Sequence, residues 1–180
     1  MKKEIFNEVE IPEGIEARVE GNAVLIKGQL GEIKREFNTT NVKIEMKENK
    51  IIIGCKKATK KEKKVINTIT VHVKNMIKGV QEKFEYKLKA VFSHFPISIE
   101  VKGKEALVKN FLGEKKPRKV SIIKGVEVDV NGQEINISSI NKELAGQTAA
   151  NFEKATRIPL RDRRVFQDGI FITEKAGRKI

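Results

Sequence analysis

The stretch Leu25-Ile26-Lys27-Gly28-Gln29-Leu30-Gly31-Glu32 decides the fold, because residues 107–114 repeat it as Leu-Val-Lys-Asn-Phe-Leu-Gly-Glu. Alternating apolar residues flank both copies in the same order. The matching sets are Ile15, Ala17 and Val19 with Ile97, Ile99 and Val101, then Val42, Ile44 and Met46 with Val126, Val128 and Val130, then Ile51 and Ile53 with Ile135 and Ile137. Identity, order and spacing agree within a shift of about two residues, which indicates duplication. We therefore predict two tandem copies of one small domain, residues 1–81 and 82–180.

Each copy shows the pattern of an antiparallel sheet with one helix packed on it. Apolar and polar residues alternate with period two, and turns such as Gly21-Asn22 are too short for parallel crossovers. Residues Thr59 to Glu62 have the form of a capping box, and Gly79 is the expected C-cap. The helix between them should bury one stripe, made of Val65, Ile69, Val73, Met76, Ile77 and Val80. The fold class predicted is α+β.

The second helix should begin at Asn141 as N-cap and differs from the first in carrying small residues. Its predicted stripe is Leu144, Thr148, Phe152 and Ala155. Small residues such as Gly146 allow another backbone to approach closely. That backbone belongs either to the protein's own sheet or to a partner, and we favour its own sheet.

The composition indicates a polyanionic partner. The 180 residues include 37 Lys and Arg against 24 Asp and Glu, a net charge of +13, which suits nucleic acid or an anionic membrane surface. No apolar run approaches the roughly 20 residues of a spanning helix, and the chain turns acidic at Glu4 before any signal-like region. The single cysteine, Cys55, excludes an intrachain disulfide, so we expect a reducing cytoplasm. With no Trp and one Tyr, a wide base-stacking platform is not expected.

Two basic clusters occur in the second copy. Four arginines fall within residues 157–164, and the guanidinium fork suits phosphate. A second cluster surrounds Pro117, and whether the two share a face is open. We interpret the lysines between Lys56 and Lys64 as a solvated face, with an RNA contact as the alternative, and Asp168-Gly169 as a hairpin turn. For Phe166 and Phe171 we favour a core or sheet role over stacking on a base.

Patterns typical of enzymes are missing from the sequence. His72 and His94 lie in different copies without a neighbouring carboxylate or cysteine, and there is no zinc spacing, phosphate-binding glycine loop or nucleophile elbow. We therefore predict no catalytic residue, no metal and no cofactor. The alternative to nucleic-acid binding is a protein–protein scaffold whose basic surface serves solubility.

The tandem repeat, the paired Leu-Gly-Glu turns and the carboxyl-terminal segment together resemble the family of the sixth universal protein of the large ribosomal subunit, in its archaeal and eukaryotic form. The family signature is matched by Ile158, Arg161, Arg164, Phe166, Asp168, Gly169, Ile170, Phe171, Ile172 and Lys175. Lys154 departs from it, because the signature has Gln there.

The resemblance implies a structural ribosomal protein of the cytoplasm, with no catalytic residues. It implies binding to large-subunit rRNA near the base of the factor-binding stalk, close to the sarcin–ricin loop and mainly through the second domain. The expected partners are rRNA and neighbouring ribosomal proteins, with a single copy in the subunit and no membrane. The residues expected to bind rRNA are Lys115, Lys116, Arg118, Lys119, Arg157, Arg161, Arg163, Arg164 and Lys175.

Overall fold

Antiparallel strands dominate both halves of the chain, and each half carries one long helix. The computed structural model describes residues 3–162 and 164–180. The chain divides into two compact units, Met1–Lys83 and Phe84–Ile180. This division lies two residues beyond the repeat boundary after Gln81, which we keep as our proposal because the first helix ends there.

The first unit contains two three-stranded antiparallel sheets and the helix α1. One sheet has the order β1-β6-β5 and the other the order β2-β3-β4. The elements are β1 (Lys3–Glu10), β2 (Glu16–Glu20), β3 (Ala23–Gly28), β4 (Gly31–Glu36), β5 (Lys43–Lys47), β6 (Lys50–Ala58) and α1 (Lys60–Gln81).

The second unit repeats this topology and adds to it. A three-stranded sheet has the order β10-β9-β8, and a five-stranded sheet has the order β11-β12-β7-β13-β14. The elements are β7 (Phe84–Val91), β8 (Ser98–Lys102), β9 (Glu105–Lys109), a short 3-10 turn (Phe111–Gly113), β10 (Arg118–Ser121), β11 (Glu127–Asn131), β12 (Glu134–Ser139), α2 (Lys142–Ala155), β13 (Gly169–Lys175) and β14 (Arg178–Lys179). The prediction of an α+β fold with two tandem domains is confirmed, and each domain carries two sheets.

Helix α1 begins as the capping box predicts. The Thr59 hydroxyl accepts from the Lys61 amide at 3.3 Å, and the Glu62 carboxylate accepts from the Thr59 amide at 2.8 Å. Hydrogen bonds from the Thr59 hydroxyl and amide lower the pKa of Glu62 to about 2.

Two details of the α1 prediction are wrong. Val65 is 38% exposed and Ile66 is buried in its place, because the stripe that faces the sheets starts one residue later. Gly79 is a buried residue inside the helix, which continues to Gln81 and ends at an extended Glu82.

Helix α2 is capped by Asn141, whose side chain accepts from the Glu143 amide at 3.0 Å, as predicted. Its small residues serve the protein's own sheet: a Cβ at Gly146 would lie 3.2 Å from the Tyr86 hydroxyl of β7. Leu144 and Ala155 of the predicted stripe are only half-buried, whereas Ala145 and Ala149 are fully buried. The small side chains therefore let α2 lie close to the sheet.

Strand β13 is what distinguishes the second domain. It pairs antiparallel with β7, from Gly169 opposite Val91 to Lys175 opposite Tyr86. The corresponding edge, that of β1, has no further strand among residues 3–162 and 164–180. Because α2 ends at Ala155 and β13 starts at Gly169, the arginine-rich segment is the connection between a packed helix and a paired strand.

Candidate nucleic-acid interface

Arg118, at the start of β10, connects the two basic clusters. Its Nε and Nη2 atoms donate to the Glu114 carboxylate at 2.8 and 2.5 Å, and its Nη1 donates to the carbonyls of Ala155 at 2.8 Å and Arg157 at 3.3 Å. The guanidinium also lies over the Phe111 ring, 4.3 Å from its centroid. The Arg118 hydrogen bond is the main reason why the pKa of Glu114 is below its ordinary value. Arg118 therefore fastens its loop to the carboxyl-terminal end of α2.

The lysines beside Arg118 point to solvent. Lys115, Lys116 and Lys119 are all exposed, and only Lys119 has a nearby carboxylate among the described residues, that of Glu105 at 3.6 Å. Because Arg118 contacts the carbonyl of Arg157, the two basic clusters meet at one end of α2. The sequence left that question open.

The arginine-rich segment is anchored at several points and remains exposed. The Arg161 guanidinium lies over the Phe166 ring, 4.6 Å from its centroid. Arg164 is 90% exposed and donates to the Asp162 carboxylate at 2.7 Å, a contact that lowers the pKa of Asp162. Arg157 is exposed at the end of α2. Arg163, also predicted to bind rRNA, lies outside the described residues.

A buried carboxylate holds the end of this segment in place. The Asp168 side chain is 1% exposed, and one of its oxygens lies 2.8 Å from His94 Nδ1. It also accepts from the Ser93 hydroxyl at 3.0 Å and from the amides of Ser93 and His94 at 3.3 Å each. Burial alone would raise the pKa of Asp168, but the hydrogen bonds from His94 and Ser93 outweigh burial and keep the pKa below its ordinary value.

Asp168-Gly169 does not form the hairpin turn expected from the sequence. Gly169 is the first residue of β13, and its partner strand is β7, far away in the chain. Phe166 stacks on the His94 ring, with centroids 5.4 Å apart and planes 15° apart. The aromatic ring of Phe166 thus lies in contact with both His94 and Arg161.

Lys175 lies away from the other predicted residues. It is exposed at the far end of β13, six residues from Gly169 and therefore about 20 Å along the strand. The structure brings together the clusters around Arg118 and Arg157, and it leaves Lys175 apart from them.

Sequence reasoning missed the role of His94. Its carboxylate partner is 74 residues away in the chain, so inspection of flanking residues could not find it. The available signal was the Asp of the family signature, which we interpreted as a turn residue.

None of the groups of His, Cys, Asp and Glu in residues 3–162 and 164–180 could hold a metal ion. In the same part of the chain no helix is long and apolar enough to cross a membrane.

The fold and this site define a two-domain α+β protein with a basic, exposed surface at one end of its second helix. A model of the family described as ribosomal protein L6 matches residues 11–83 and 95–169, one match in each repeat. The large ribosomal subunit protein uL6 of Methanococcus vannielii is 44% identical over 97% of this chain and 96% of the relative. That of Methanosarcina mazei is also 44% identical, over 98% of this chain and 100% of the relative. The chain belongs to the ribosomal protein L6 family, whose members are structural ribosomal proteins and not enzymes.

Replacing Arg118 by Lys should weaken the contact between the lysine loop and the carboxyl-terminal end of α2. Lysine keeps the charge but lacks the fork, so it cannot hold Glu114 and the two carbonyls at once. We expect the full chain to lose about 1–2 kcal/mol of stability, measured by urea unfolding followed by circular dichroism. Arg178→Lys, an equivalent change at an exposed position of β14, is the control and should leave stability unchanged. Equal stability of both variants would contradict the anchoring role of Arg118.

Replacing Asp168 by Asn should destabilise the second domain by about 1–3 kcal/mol at neutral pH, because hydrogen bonds to a buried charge are lost. The folded pKa lies below the ordinary value of 3.8, so the ionised carboxylate stabilises the fold above about pH 4 and that stabilisation is lost as the pH falls. The difference between wild type and variant, measured by urea unfolding, should therefore shrink towards pH 3. Asp129→Asn, at an exposed position, is the control. A difference independent of pH would contradict this account.

Proposed function

We propose that this chain is a structural constituent of the large ribosomal subunit that binds large-subunit rRNA through its second domain, near the base of the factor-binding stalk. Membership of the ribosomal protein L6 family supports the ribosomal role. The relatives from Methanococcus vannielii and Methanosarcina mazei carry names that assign them to the large subunit. The stalk location, the single copy and the neighbouring ribosomal proteins rest on the family resemblance in the carboxyl-terminal segment.

The observation that carries the rRNA-binding proposal is the set of hydrogen bonds made by Arg118. It holds an exposed lysine loop and an exposed arginine segment at the same end of α2. A duplex of RNA hides its base edges in a deep, narrow groove, so proteins hold it through phosphates and 2′-hydroxyls. Exposed cations on two segments that Arg118 holds together suit that kind of contact.

The residues proposed to contact phosphate differ in whether their side chains already have partners within the protein. Lys115, Lys116, Arg157 and Arg161 are exposed, and no ion pair to them occurs among the described residues. Arg118 has its donors occupied by protein acceptors, so we propose that it supports the interface from behind. Lys119, Arg163, Arg164 and Lys175 remain proposed contacts.

The salt dependence of binding tests this proposal. Binding that neutralises phosphates weakens with salt, with a slope of about 0.9 per phosphate on duplex DNA as a guide. In the full chain, changing Arg157, Arg161 and Arg164 together to Ala should weaken binding to large-subunit rRNA and lower the slope by about two to three.

The matched control removes three exposed positive charges from the first domain, with Lys57, Lys63 and Lys64 changed to Ala. Its slope should change by less than about one. Equal losses in both variants would contradict a binding site in the second domain. A wild-type affinity that hardly varies with salt would favour the protein–protein scaffold instead.

The proposed location has its own test. Hydroxyl-radical footprinting of large-subunit rRNA with the bound full chain should show protected sugars in the sarcin–ricin loop and at the base of the stalk. The triple arginine variant serves as control and should lose this protection at equal concentration. Protection confined to other rRNA helices would refute the location and leave rRNA binding itself intact.

A further inference from the structure

A groove of about 860 Å³ opens in the second domain between the last turns of α2 and the start of β13. Lys154 and Arg157 lie on its helical side, Phe171 lies on its strand side, and Val91 of β7 contributes to its lining. The volume falls in the range of about 300–1,000 Å³ that is typical of sites for small ligands. The groove is therefore large enough for one planar group with its substituents.

The acidic groups of the groove are already occupied within the protein. A Glu153 carboxylate oxygen accepts from the Ile172 amide at 3.1 Å, and the Asp168 carboxylate accepts from Ser93 and His94. Lys154 and Arg157 are exposed, and neither has an ion-pair partner in residues 3–162 and 164–180. Both carboxylates keep their charge, but Asp168 is buried and Glu153 is half-buried against the backbone, so the fully exposed charges at the groove are the two cations. Exposed cations favour the phosphate of an anionic ligand.

The strand side of the groove offers an aromatic ring. Phe171 is 46% exposed, and its ring folds back over Gly169, where a Cβ would lie 3.0 Å from the Phe171 Cζ atom. Phe166 is already stacked on His94, so Phe171 is the ring with an accessible face. An open ring beside two cations matches the chemistry of a nucleotide, whose base stacks and whose phosphate carries negative charge.

We propose that this groove receives one unstacked base of the rRNA, which stacks on Phe171 while its flanking phosphates lie against Lys154 and Arg157. The inference rests on the proposed function and specifies what kind of RNA feature the second domain binds. Bases inside a duplex cannot reach such a groove, so the nucleotide comes from a loop, a bulge or a strand end.

A tryptophan at position 171 gives a direct readout, because the natural chain has no Trp. In the full chain, Phe171→Trp should keep wild-type affinity for large-subunit rRNA, and its fluorescence should be strongly quenched on binding. Phe6→Trp is the matched control, since Phe6 is also 46% exposed but lies on β1 of the first domain and does not line the groove. The control should bind equally well with little quenching.

Removing the ring while keeping an apolar side chain gives an independent measurement. Phe171→Leu should weaken rRNA binding about tenfold with an unchanged salt slope, because stacking is lost and phosphate contacts stay. Phe6→Leu, in the first domain, should bind within about twofold of wild type. Circular dichroism of each variant checks that the domain is folded.

The outcomes separate this inference from the proposed function. Wild-type binding with a steep salt slope, together with no quenching of Phe171→Trp and no loss in Phe171→Leu, overturns the base-binding groove alone. Quenching that needs an added ribosomal protein as well as rRNA also overturns it, because a protein side chain then fills the groove. Weak binding of wild type with a shallow slope overturns the proposed function first.

Discussion

The buried carboxylate of Asp168 is the interaction on which the rest of the second domain's surface depends. It lies at the junction between the arginine-rich segment and β13, and its side chain is almost completely removed from water. Burial of a charge is costly unless hydrogen bonds compensate for it, and here Ser93 and His94 supply them from the loop after β7. The same contact fixes the His94 ring, on which Phe166 stacks, and Phe166 in turn contacts Arg161. One carboxylate thus sets the positions of an aromatic pair and a cation at the surface.

The second domain can be understood as the first with two strands, β13 and β14, added to one sheet, and the addition of β13 explains its sequence. Strand β13 occupies the outer edge of β7 and contributes Ile170, which is 1% exposed, to the core. Helix α2 must then pack across β7, β12 and β13 together. It does so with small residues, Ala145, Gly146 and Ala149, whereas α1 fills its stripe with larger side chains. The loss of large apolar residues from α2 is therefore a consequence of closer packing on a wider sheet.

The sequence was sufficient for the fold class, the duplication and both helix N-caps, because these follow from local periodicity and from local hydrogen-bonding groups. It was insufficient where a long-range contact overrides a local signal. Gly79 has the position and identity of a C-cap, yet packing keeps the helix intact to Gln81. Asp168-Gly169 has the composition of a turn, yet the Asp168 side chain forms hydrogen bonds with residues 74 and 75 positions away in the chain. Gly169 has no side chain that would collide with the Phe171 ring. The candidate site was found as two separate charge clusters, since no local pattern encodes the bonds from Arg118 to the end of α2.

Arg118 also shows why a count of basic residues is a poor measure of an RNA interface. From the sequence it is one more cation in a basic loop. In the structure its three guanidinium nitrogens all donate to protein acceptors, and its side chain is 25% exposed. Arg164 retains exposure but shares its charge with Asp162. The positive potential available to phosphate therefore comes from fewer residues than the clusters contain. Arginines whose donors bind protein acceptors instead hold in place the surface that carries the exposed cations. Stiffening matters for binding, because side chains and loops that are already ordered lose less conformational entropy when they contact RNA.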